Sequence, residues 1–221
     1  MSLFDKLLSL LAPHECLGCG AQGDLICNDC ATKLPTITER CYRCRRLSSN
    51  NLTCSKCRKQ SKLTCVKVST IYSGLAKDLV WKLKFSGAQA AAKSMANIMS
   101  QQIESSRNMI IVPVPTATSR VRQRGYDQAV LLAKELAKQT GLKYVSCLSR
   151  TNQAHQVGAG RSQRIKQLSD AFRATKLELI ADAQILIIDD VITTGATLES
   201  AALILKKAGA KRVDALVFAQ P

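Results

Sequence analysis

Two acids and a hydroxyl-rich loop form the stretch of this sequence with the clearest potential for chemistry. Four aliphatic residues, Ile185 to Ile188, are followed at once by Asp189 and Asp190, and then by Thr193-Thr194-Gly195-Ala196-Thr197. The threonine hydroxyls and the first backbone N–H groups of a following helix can donate to a phosphate, and Gly195 lets the backbone approach it closely. The two carboxylates can accept hydrogen bonds from neighbouring ribose hydroxyls and can help to hold Mg²⁺. This order of residues predicts a site for a phosphorylated sugar.

The elements that must position this loop are also visible in the sequence. The uninterrupted aliphatic run predicts a strand buried on both faces, and the alanine- and leucine-rich segment that ends near Lys207 predicts a helix. Strands are expected over 61–72, 109–114, 143–148 and 211–218, and helices over 75–85, 88–103 and 127–140. This alternation predicts an α/β fold with a mostly parallel sheet and right-handed crossovers. Trp81 is expected in the core, with stacking on a base as the alternative.

Eight of the ten cysteines lie between residues 13 and 60 and form four Cys-x-x-Cys pairs. Two residues between thiolates let both face one metal ion, and two such pairs complete a tetrahedral zinc site. Because short gaps separate the first pair from the second and the third from the fourth, we expect a double zinc ribbon with two zinc ions. Interleaved pairing and redox-active dithiols are the alternatives. The expected ligands are Cys16, Cys19, Cys27, Cys30, Cys41, Cys44, Cys54 and Cys57. Cys65 and Cys147 are expected to be buried thiols.

The positive charge is concentrated in the middle of the chain. The formal net charge is +16, and the span from Thr118 to Lys176 holds twelve basic residues against three acidic ones. Such an excess attracts polyanions. Arginines at every second position from Arg120 would point the same way in an extended segment and line a groove for phosphates, with Tyr126 offering a stacking face. A solvated charged loop is the alternative. The predicted nucleic-acid contacts are Arg120, Arg122, Arg124, Tyr126, Arg161 and Arg164.

Three further expectations concern the organisation of the chain. Residues 1–60 are predicted to form an N-terminal helix and the double zinc ribbon, and residues 61–221 a second domain. Residues 150–164 are polar and contain glycine, which suits a lid that closes over a diphosphate, with His155 as a weaker acid–base candidate. No apolar run of twenty residues is present, so no transmembrane segment is expected. The N-terminal stretch has no convincing signal-peptide cleavage site, so a cytoplasmic location is expected, where the cysteines should be thiols or metal ligands.

The stretch from Ile185 to Thr197 resembles the phosphoribosyl pyrophosphate (PRPP) loop of type I phosphoribosyltransferases in its acids, spacing, glycine and threonines. The resemblance implies that this loop binds ribose 5-phosphate, with Mg²⁺ carried by the diphosphate. It also implies that the loop after Val112, with Pro115 and Thr116, contacts the pyrophosphate. If PRPP is turned over, Asp189 and Asp190 are the expected catalytic residues. The residues assigned to PRPP are Asp189, Asp190, Thr193, Thr194, Gly195, Ala196, Thr197, Pro115 and Thr116.

The ordered set of motifs along the whole chain resembles the ComF (ComFC) family of competence proteins. The motifs are the double Cys-x-x-Cys module, Val-Pro-Val-Pro, Arg-x-Arg-x-Arg-Gly-Tyr-Asp-Gln, Arg150 with Gln156-Val157-Gly158 and Arg161, Asp170-Ala171-Phe172, and the Asp189-Asp190 loop. The resemblance implies a bacterial cytoplasmic protein of natural transformation that handles incoming single-stranded DNA and has a phosphoribosyltransferase-type fold. It also implies helicase or recombination proteins as partners.

Two functions remain open at the level of sequence. The first is a PRPP-binding, zinc-containing protein that binds or processes single-stranded DNA. The second is an active phosphoribosyltransferase that transfers ribose 5-phosphate from PRPP to an unknown acceptor. The first is favoured, because the sequence has a large basic surface and no recognisable pocket for an acceptor base.

Overall fold

A computed structural model of the chain describes residues 14–103, 109–151 and 171–221. The predicted N-terminal helix and most of the predicted lid lie outside the described residues. So do the acid–base candidate His155 and the predicted nucleic-acid contacts Arg161 and Arg164. Within the described ranges, no helix has the length and apolar character needed to cross a bilayer.

The described residues form nine strands and eight α-helices. The strands are β1 (His14–Glu15), β2 (Gln22–Gly23), β3 (Val66–Ile71), β4 (Met109–Pro113), β5 (Lys143–Tyr144), β6 (Leu148–Arg150), β7 (Phe172–Ala174), β8 (Gln184–Val191) and β9 (Arg212–Gln220). The helices are α1 (Asn28–Thr32), α2 (Ser55–Arg58), α3 (Gly74–Phe85), α4 (Ala88–Ser100), α5 (Thr118–Arg124), α6 (Gln128–Thr140), α7 (Leu177–Ile180) and α8 (Ala196–Lys207).

The centre of the fold is a five-stranded parallel sheet in the order β3-β9-β8-β4-β5, which confirms the prediction of a mostly parallel sheet. Its middle strand β8 contains the aliphatic run that the sequence placed in a buried strand. Ile185 and Ile187 pack on one face of the sheet, and Leu186 and Ile188 pack on the other. A parallel sheet needs cover on both faces, and the chain supplies it with helices on each side.

The two helical layers differ in size. Helices α3, α4 and α6 cover one face through fully buried residues that include Leu83, Met95 and Leu132. Helix α8 covers the other face through Leu198 and Leu205. Alanines recur on the inner sides of α4, α6 and α8, so the helices can approach the sheet closely. Because all five strands are parallel, their carboxyl ends lie at the same edge of the sheet.

Trp81 is not in the core, and this expectation was wrong. The buried residues of α3 are Ala76, Leu79, Val80 and Leu83, whereas the Trp81 side chain is 53% exposed. At 3.6 residues per turn, position 81 lies about 200° around the helix from position 79, so the two cannot share a face. The tryptophan therefore lies on the outer side of α3.

The segment with alternating arginines is also not extended. Residues Thr118–Arg124 form helix α5, and Gly125 ends it with a left-handed backbone (φ 78). Successive arginines two positions apart point in nearly opposite directions around a helix. The predicted row of arginines facing one groove is therefore wrong, although Arg120 and Arg122 remain exposed.

A further difference concerns the strands after α6. The strand expected over 143–148 is divided, because β5 ends at Tyr144 and β6 begins at Leu148. Phe172 lies in β7, outside the central sheet. Strand β7 pairs antiparallel with β6 in a separate two-stranded sheet. This small sheet flanks the segment 152–170.

Candidate functional site

The acid pair lies where the topology of the sheet reverses. From β4 the chain continues outward to β5, whereas from β8 it continues in the opposite direction to β9. In open parallel sheets, ligands bind at such a switch point, beyond the carboxyl ends of the strands. The loop that follows β4 and the loop that follows β8 border this crevice. The fold thus brings together the two loops that the sequence assigned to pyrophosphate and to ribose 5-phosphate.

Asp189 and Asp190 lie near the carboxyl end of β8, which ends at Val191. The backbone N–H of Asp190 donates to Asp189 Oδ1 at 2.9 Å. Desolvation, and then the neighbouring Asp190 charge, raise the pKa of Asp189 well above its ordinary value. Two adjacent carboxylates that are withdrawn from water oppose each other's ionisation. Such a pair is better suited to binding a ligand with hydroxyl groups or a cation than to stabilising the fold.

Lys84 at the end of α3 is a member of this site that the sequence reading did not assign. Its Nζ lies 2.6 Å from Asp190 Oδ2, and the aspartate side chain is only 7% exposed. The ion pair joins α3 to the end of β8 across about a hundred residues of sequence. Nothing in the sequence near Lys84 indicates that Asp190 is its partner, because the contact forms only when α3 packs on the sheet.

The loop after β8 presents hydroxyls and a helix N-terminus at the edge of the crevice. Thr193 and Thr194 are exposed, and Thr194 Oγ1 accepts from the Ala196 N–H at 3.4 Å. Gly195 precedes α8 with a left-handed backbone (φ 79), which a residue with a Cβ adopts at a cost. The first free N–H groups of α8 follow it and point away from the helix. This arrangement can bind a phosphate.

The loop after β4 is shaped by Asp127, which the sequence reading also did not single out. One carboxylate oxygen of Asp127 accepts from the Thr116 N–H at 2.9 Å, and the other accepts from the Thr116 hydroxyl at 2.9 Å. Asp127 also caps α6 by accepting from the Ala129 N–H at 3.0 Å. An aspartate directly before a helix is a recognisable N-cap. Both Thr116 donors are therefore engaged by Asp127.

Eight cysteines form two clusters with the pairing that the sequence favoured. Within each cluster, one sulfur from each residue lies within 4.8 Å of the others; the clusters are Cys16, Cys19, Cys27 and Cys30, and Cys41, Cys44, Cys54 and Cys57. Interleaved pairing is therefore wrong. Cys65 and Cys147 are buried and belong to neither cluster, as expected.

The chemistry of the first cluster fits a zinc ion. The N–H of Cys27 donates to Cys16 Sγ at 3.4 Å, and this contact, with weaker hydrogen bonds from Gly18 and Cys19, lowers the pKa of Cys16 to about 6. Hydrogen bonds among the sulfurs, with Cys27 the largest contributor, raise the pKa of Cys30 to about 12. Four crowded thiols cannot all ionise unless a cation neutralises them. A Cβ at Gly18 would lie 2.7 Å from Cys30 Sγ, so the backbone closes tightly around this cluster. Each cluster could hold one zinc ion.

The second cluster is attached directly to the β8–α8 loop. The Tyr42 hydroxyl donates to Glu199 in the first turn of α8 and contacts Ser61 Oγ at 2.9 Å. Arg43 Nη1 lies 2.9 Å from the same Glu199 carboxylate. The Tyr42 ring occupies the space above Gly195, where an added Cβ would lie 2.8 Å from the ring. Gly195 is thus required by Tyr42 as well as by the turn.

We expect Tyr42→Phe to destabilise the protein by about 1–3 kcal/mol, because the hydroxyl donates to a charged carboxylate in a partly buried setting. The measurement is the denaturant midpoint at constant m-value. Tyr72→Phe removes a hydroxyl outside this contact and serves as the matched control. Equal midpoints for Tyr42→Phe and the wild type would show that the hydroxyl contributes nothing to the attachment.

The basic residues of the middle segment lie beside the crevice rather than in a single row. Arg124 Nη1 donates to Gln128 Oε1 at 2.8 Å, and its guanidinium lies 5.3 Å from the centre of the Phe85 ring. The Tyr126 hydroxyl donates to the Leu83 carbonyl at 2.9 Å, so this tyrosine joins α5 to α3. Arg150 lies 5.4 Å from the Phe172 ring centre on the small sheet. Two of the residues predicted to contact nucleic acid, Arg124 and Tyr126, therefore already make contacts within the protein.

Comparison with known proteins identifies relatives over most of the chain. It is 27% identical to competence protein ComFC of Streptococcus pneumoniae, over 95% of this chain and 90% of that protein. It is 29% identical to DNA utilization protein YhgH of Salmonella typhimurium, over 86% of this chain and 87% of that protein. A solved structure of glutamine PRPP amidotransferase from B. subtilis, complexed with ADP and GMP, is 17% identical over 58% of this chain and 26% of that chain, with a TM-score of 0.44.

The ComF resemblance seen in the sequence is confirmed by these ComFC and YhgH homologues. Residues 87–221 match the model of the phosphoribosyl transferase domain, and this range contains both loops of the crevice. The parallel sheet and the acid pair near the end of its middle strand are consistent with this family match. The chain belongs to the phosphoribosyl transferase domain family.

Proposed function

We propose that the protein binds PRPP with Mg²⁺ at the crevice between the β4 and β8 loops, binds single-stranded DNA on its basic surface, and acts in natural transformation in the cytoplasm. The observation that carries the proposal is the acid pair at the switch point of a phosphoribosyl transferase domain, followed at once by the hydroxyl loop and the N-terminus of α8. Two zinc ions are proposed to hold the N-terminal module together.

The roles of the site residues follow from their chemistry. Asp189 and Asp190 would accept hydrogen bonds from the ribose hydroxyls, and the loop from Thr193 to Thr197 would donate to the 5-phosphate. Carboxylate oxygens are suitable ligands for Mg²⁺, which would neutralise the charge of the diphosphate when bound. The Lys84 ammonium, 2.6 Å from Asp190, adds positive charge at the same edge.

The DNA-binding part of the proposal has two supports. The relatives are a competence protein and a DNA utilization protein. The chain carries a formal net charge of +16, and part of its excess base lies on α5 and near the end of α3, beside the crevice. A strongly basic surface neutralises backbone phosphates without reading sequence. Helicase or recombination proteins of transformation are the proposed partners.

Transfer of ribose 5-phosphate is the second candidate function, favoured by the family match alone. In that case an acceptor would displace pyrophosphate from the anomeric carbon of PRPP, and the basic edge of the crevice would stabilise the leaving diphosphate. Release of pyrophosphate in the presence of nucleobases or single-stranded DNA measures this activity.

Calorimetric titration with PRPP and Mg²⁺ tests the proposal. Saturable binding of one PRPP per chain is the expected result, and its absence would overturn the PRPP assignment. Binding of a fluorescent oligothymidylate over a salt series tests the DNA part separately. We expect log affinity to fall linearly with log salt concentration. Pyrophosphate release without any affinity for oligonucleotide would favour the transferase instead.

A further inference from the structure

The outer side of α3 carries an aromatic pair that the core does not use. Trp81 and Phe85 are 53% and 58% exposed, and their ring centres lie 5.7 Å apart at an angle of 44°. Residues four positions apart are neighbours on one side of a helix, so the two rings form a continuous surface. Among the described residues, only three other large apolar side chains, Leu47, Ile71 and Leu177, are comparably exposed.

Basic residues of α5 lie beside this aromatic pair. Arg124 of α5 lies 5.3 Å from the Phe85 ring centre, which is within the range of a cation–π contact. The Tyr126 hydroxyl donates to the Leu83 carbonyl and fixes the end of α5 against α3. Exposed Arg120, one helical turn before Arg124 on α5, extends the positive charge on the same side of that helix. The pair is therefore not an isolated apolar spot but the apolar centre of a cationic surface.

The same stretch of α3 also reaches the proposed ribose site. Lys84, adjacent to Phe85, forms the 2.6 Å ion pair with Asp190 at the end of β8. One helical turn thus presents Lys84 towards the acid pair and Phe85 towards solvent. A ligand bound to the aromatic pair would therefore lie beside the crevice. A short flexible segment of the same ligand could extend from the rings to the crevice.

We propose that Trp81 and Phe85 form a stacking platform for unpaired bases of single-stranded DNA, next to the PRPP crevice. The proposal rests on the DNA-binding function proposed above and names its site. Single strands offer exposed base faces together with phosphates, and this combination matches exposed aromatic rings bordered by arginines. Duplex DNA keeps its bases stacked and offers only phosphates to the same surface.

The chain contains one tryptophan, so its fluorescence reports on this platform alone. Titration of the full-length, zinc-loaded protein with oligothymidylate is expected to quench the Trp81 emission. An oligonucleotide of the same length with abasic sites keeps the phosphates but lacks the bases. We expect it to bind at least about fivefold more weakly and to leave the emission unchanged.

Variants separate stacking from charge. Trp81→Ala is expected to weaken binding of oligothymidylate by about tenfold while the slope of log affinity against log salt stays the same. Trp81→Phe should retain most of the affinity, since it keeps an aromatic face. Arg120→Ala, the matched charge control, should reduce the salt slope by about one unit. Unchanged zinc content and circular dichroism would verify that the variants fold.

The outcomes distinguish this site from the broader function. Normal oligonucleotide affinity in Trp81→Ala, or equal binding of the abasic strand, would overturn the platform and leave DNA binding elsewhere on the protein. Failure of the wild type to bind any oligonucleotide would overturn both proposals. Quenching of Trp81 by duplex DNA at equal affinity would indicate a phosphate surface without base stacking and would also overturn the platform.

Discussion

Replacing both acids of the crevice, in Asp189→Asn with Asp190→Asn, is expected to weaken PRPP binding by about 100-fold or more. Each carboxylate would lose charge-assisted hydrogen bonds to ribose hydroxyls, and such bonds contribute about 1.5–3 kcal/mol each. The variant should still bind two zinc ions per chain, because neither acid belongs to a cysteine cluster. Calorimetry with PRPP and Mg²⁺ and metal analysis of the same sample measure the two effects.

The control for this variant is Glu178→Gln, which neutralises an exposed acid on α7, the helix that precedes the amino end of β8. Its PRPP affinity should equal that of the wild type. If the double variant binds PRPP as tightly as this control does, the acid pair is not the ribose site.

The single variant Asp189→Asn is expected to stabilise the ligand-free protein. Because the folded-state pKa of Asp189 is raised above its ordinary value of 3.8, the folded state of the wild type holds the proton more tightly than the unfolded state. The wild type therefore loses stability as pH rises from about that value through the raised folded-state pKa, and the asparagine variant does not. The gap in unfolding temperature between variant and wild type should widen over this window and then remain constant. A gap that does not change with pH would contradict this reading of the acid pair.

This combination of higher stability and lost binding would be characteristic of a functional site. Buried neighbouring carboxylates are unfavourable for folding and are retained where a ligand requires them. The ion pair between Lys84 and Asp190 offsets part of that cost in the ligand-free protein.

The parts of the site that depend on short stretches of chain could be predicted from the sequence. The buried strand β8, the acids that end it and the helix that follows form one continuous segment, so hydrophobic pattern and loop composition were sufficient. The cysteine clusters were predictable for the same reason, since each forms from two nearby pairs. The assignment of PRPP and nucleic acid to individual residues, and a domain boundary at residue 60, stay predictions.

Contacts between distant segments could not be predicted in this way. Lys84 with Asp190, and Tyr42 with Glu199, are joined only after helices and zinc module pack on the sheet. No local sequence pattern indicates which of these side chains will pair, because each of them could equally well be exposed to solvent.

Two errors had local signals that pointed the other way. For α5, the alternating arginines suggested an extended segment, yet four of its seven residues are arginine or glutamine, which are good helix formers, and it ends at Gly125, a typical helix C-terminus. For Trp81, the apolar positions were grouped without regard to the helical period. Counting from Leu79 and Leu83 places Trp81 on the opposite side.

Loss of the second cysteine cluster is expected to impair PRPP binding more than loss of the first. Tyr42 and Arg43 lie between the ligands Cys41 and Cys44, and both contact Glu199 in the first turn of α8. Zinc binding supplies folding free energy to such small modules, so Cys41→Ser with Cys44→Ser should release this attachment. We expect about tenfold weaker PRPP binding or more, because small displacements of a binding loop have large effects.

The matched variant is Cys16→Ser with Cys19→Ser, which removes ligands from the first cluster. That cluster packs near Leu75 at the start of α3, whereas Tyr42 and Arg43 of the second cluster contact α8, so PRPP affinity should change by less than about threefold. Metal analysis should give one zinc ion per chain for both variants, which makes the comparison independent of metal content. Because Tyr42 also covers Gly195, loss of the second cluster exposes the loop backbone as well as freeing Glu199. Equal losses of PRPP affinity in the two variants would mean that zinc supports the fold only in general, and that the contact between Tyr42 and α8 does not position the loop.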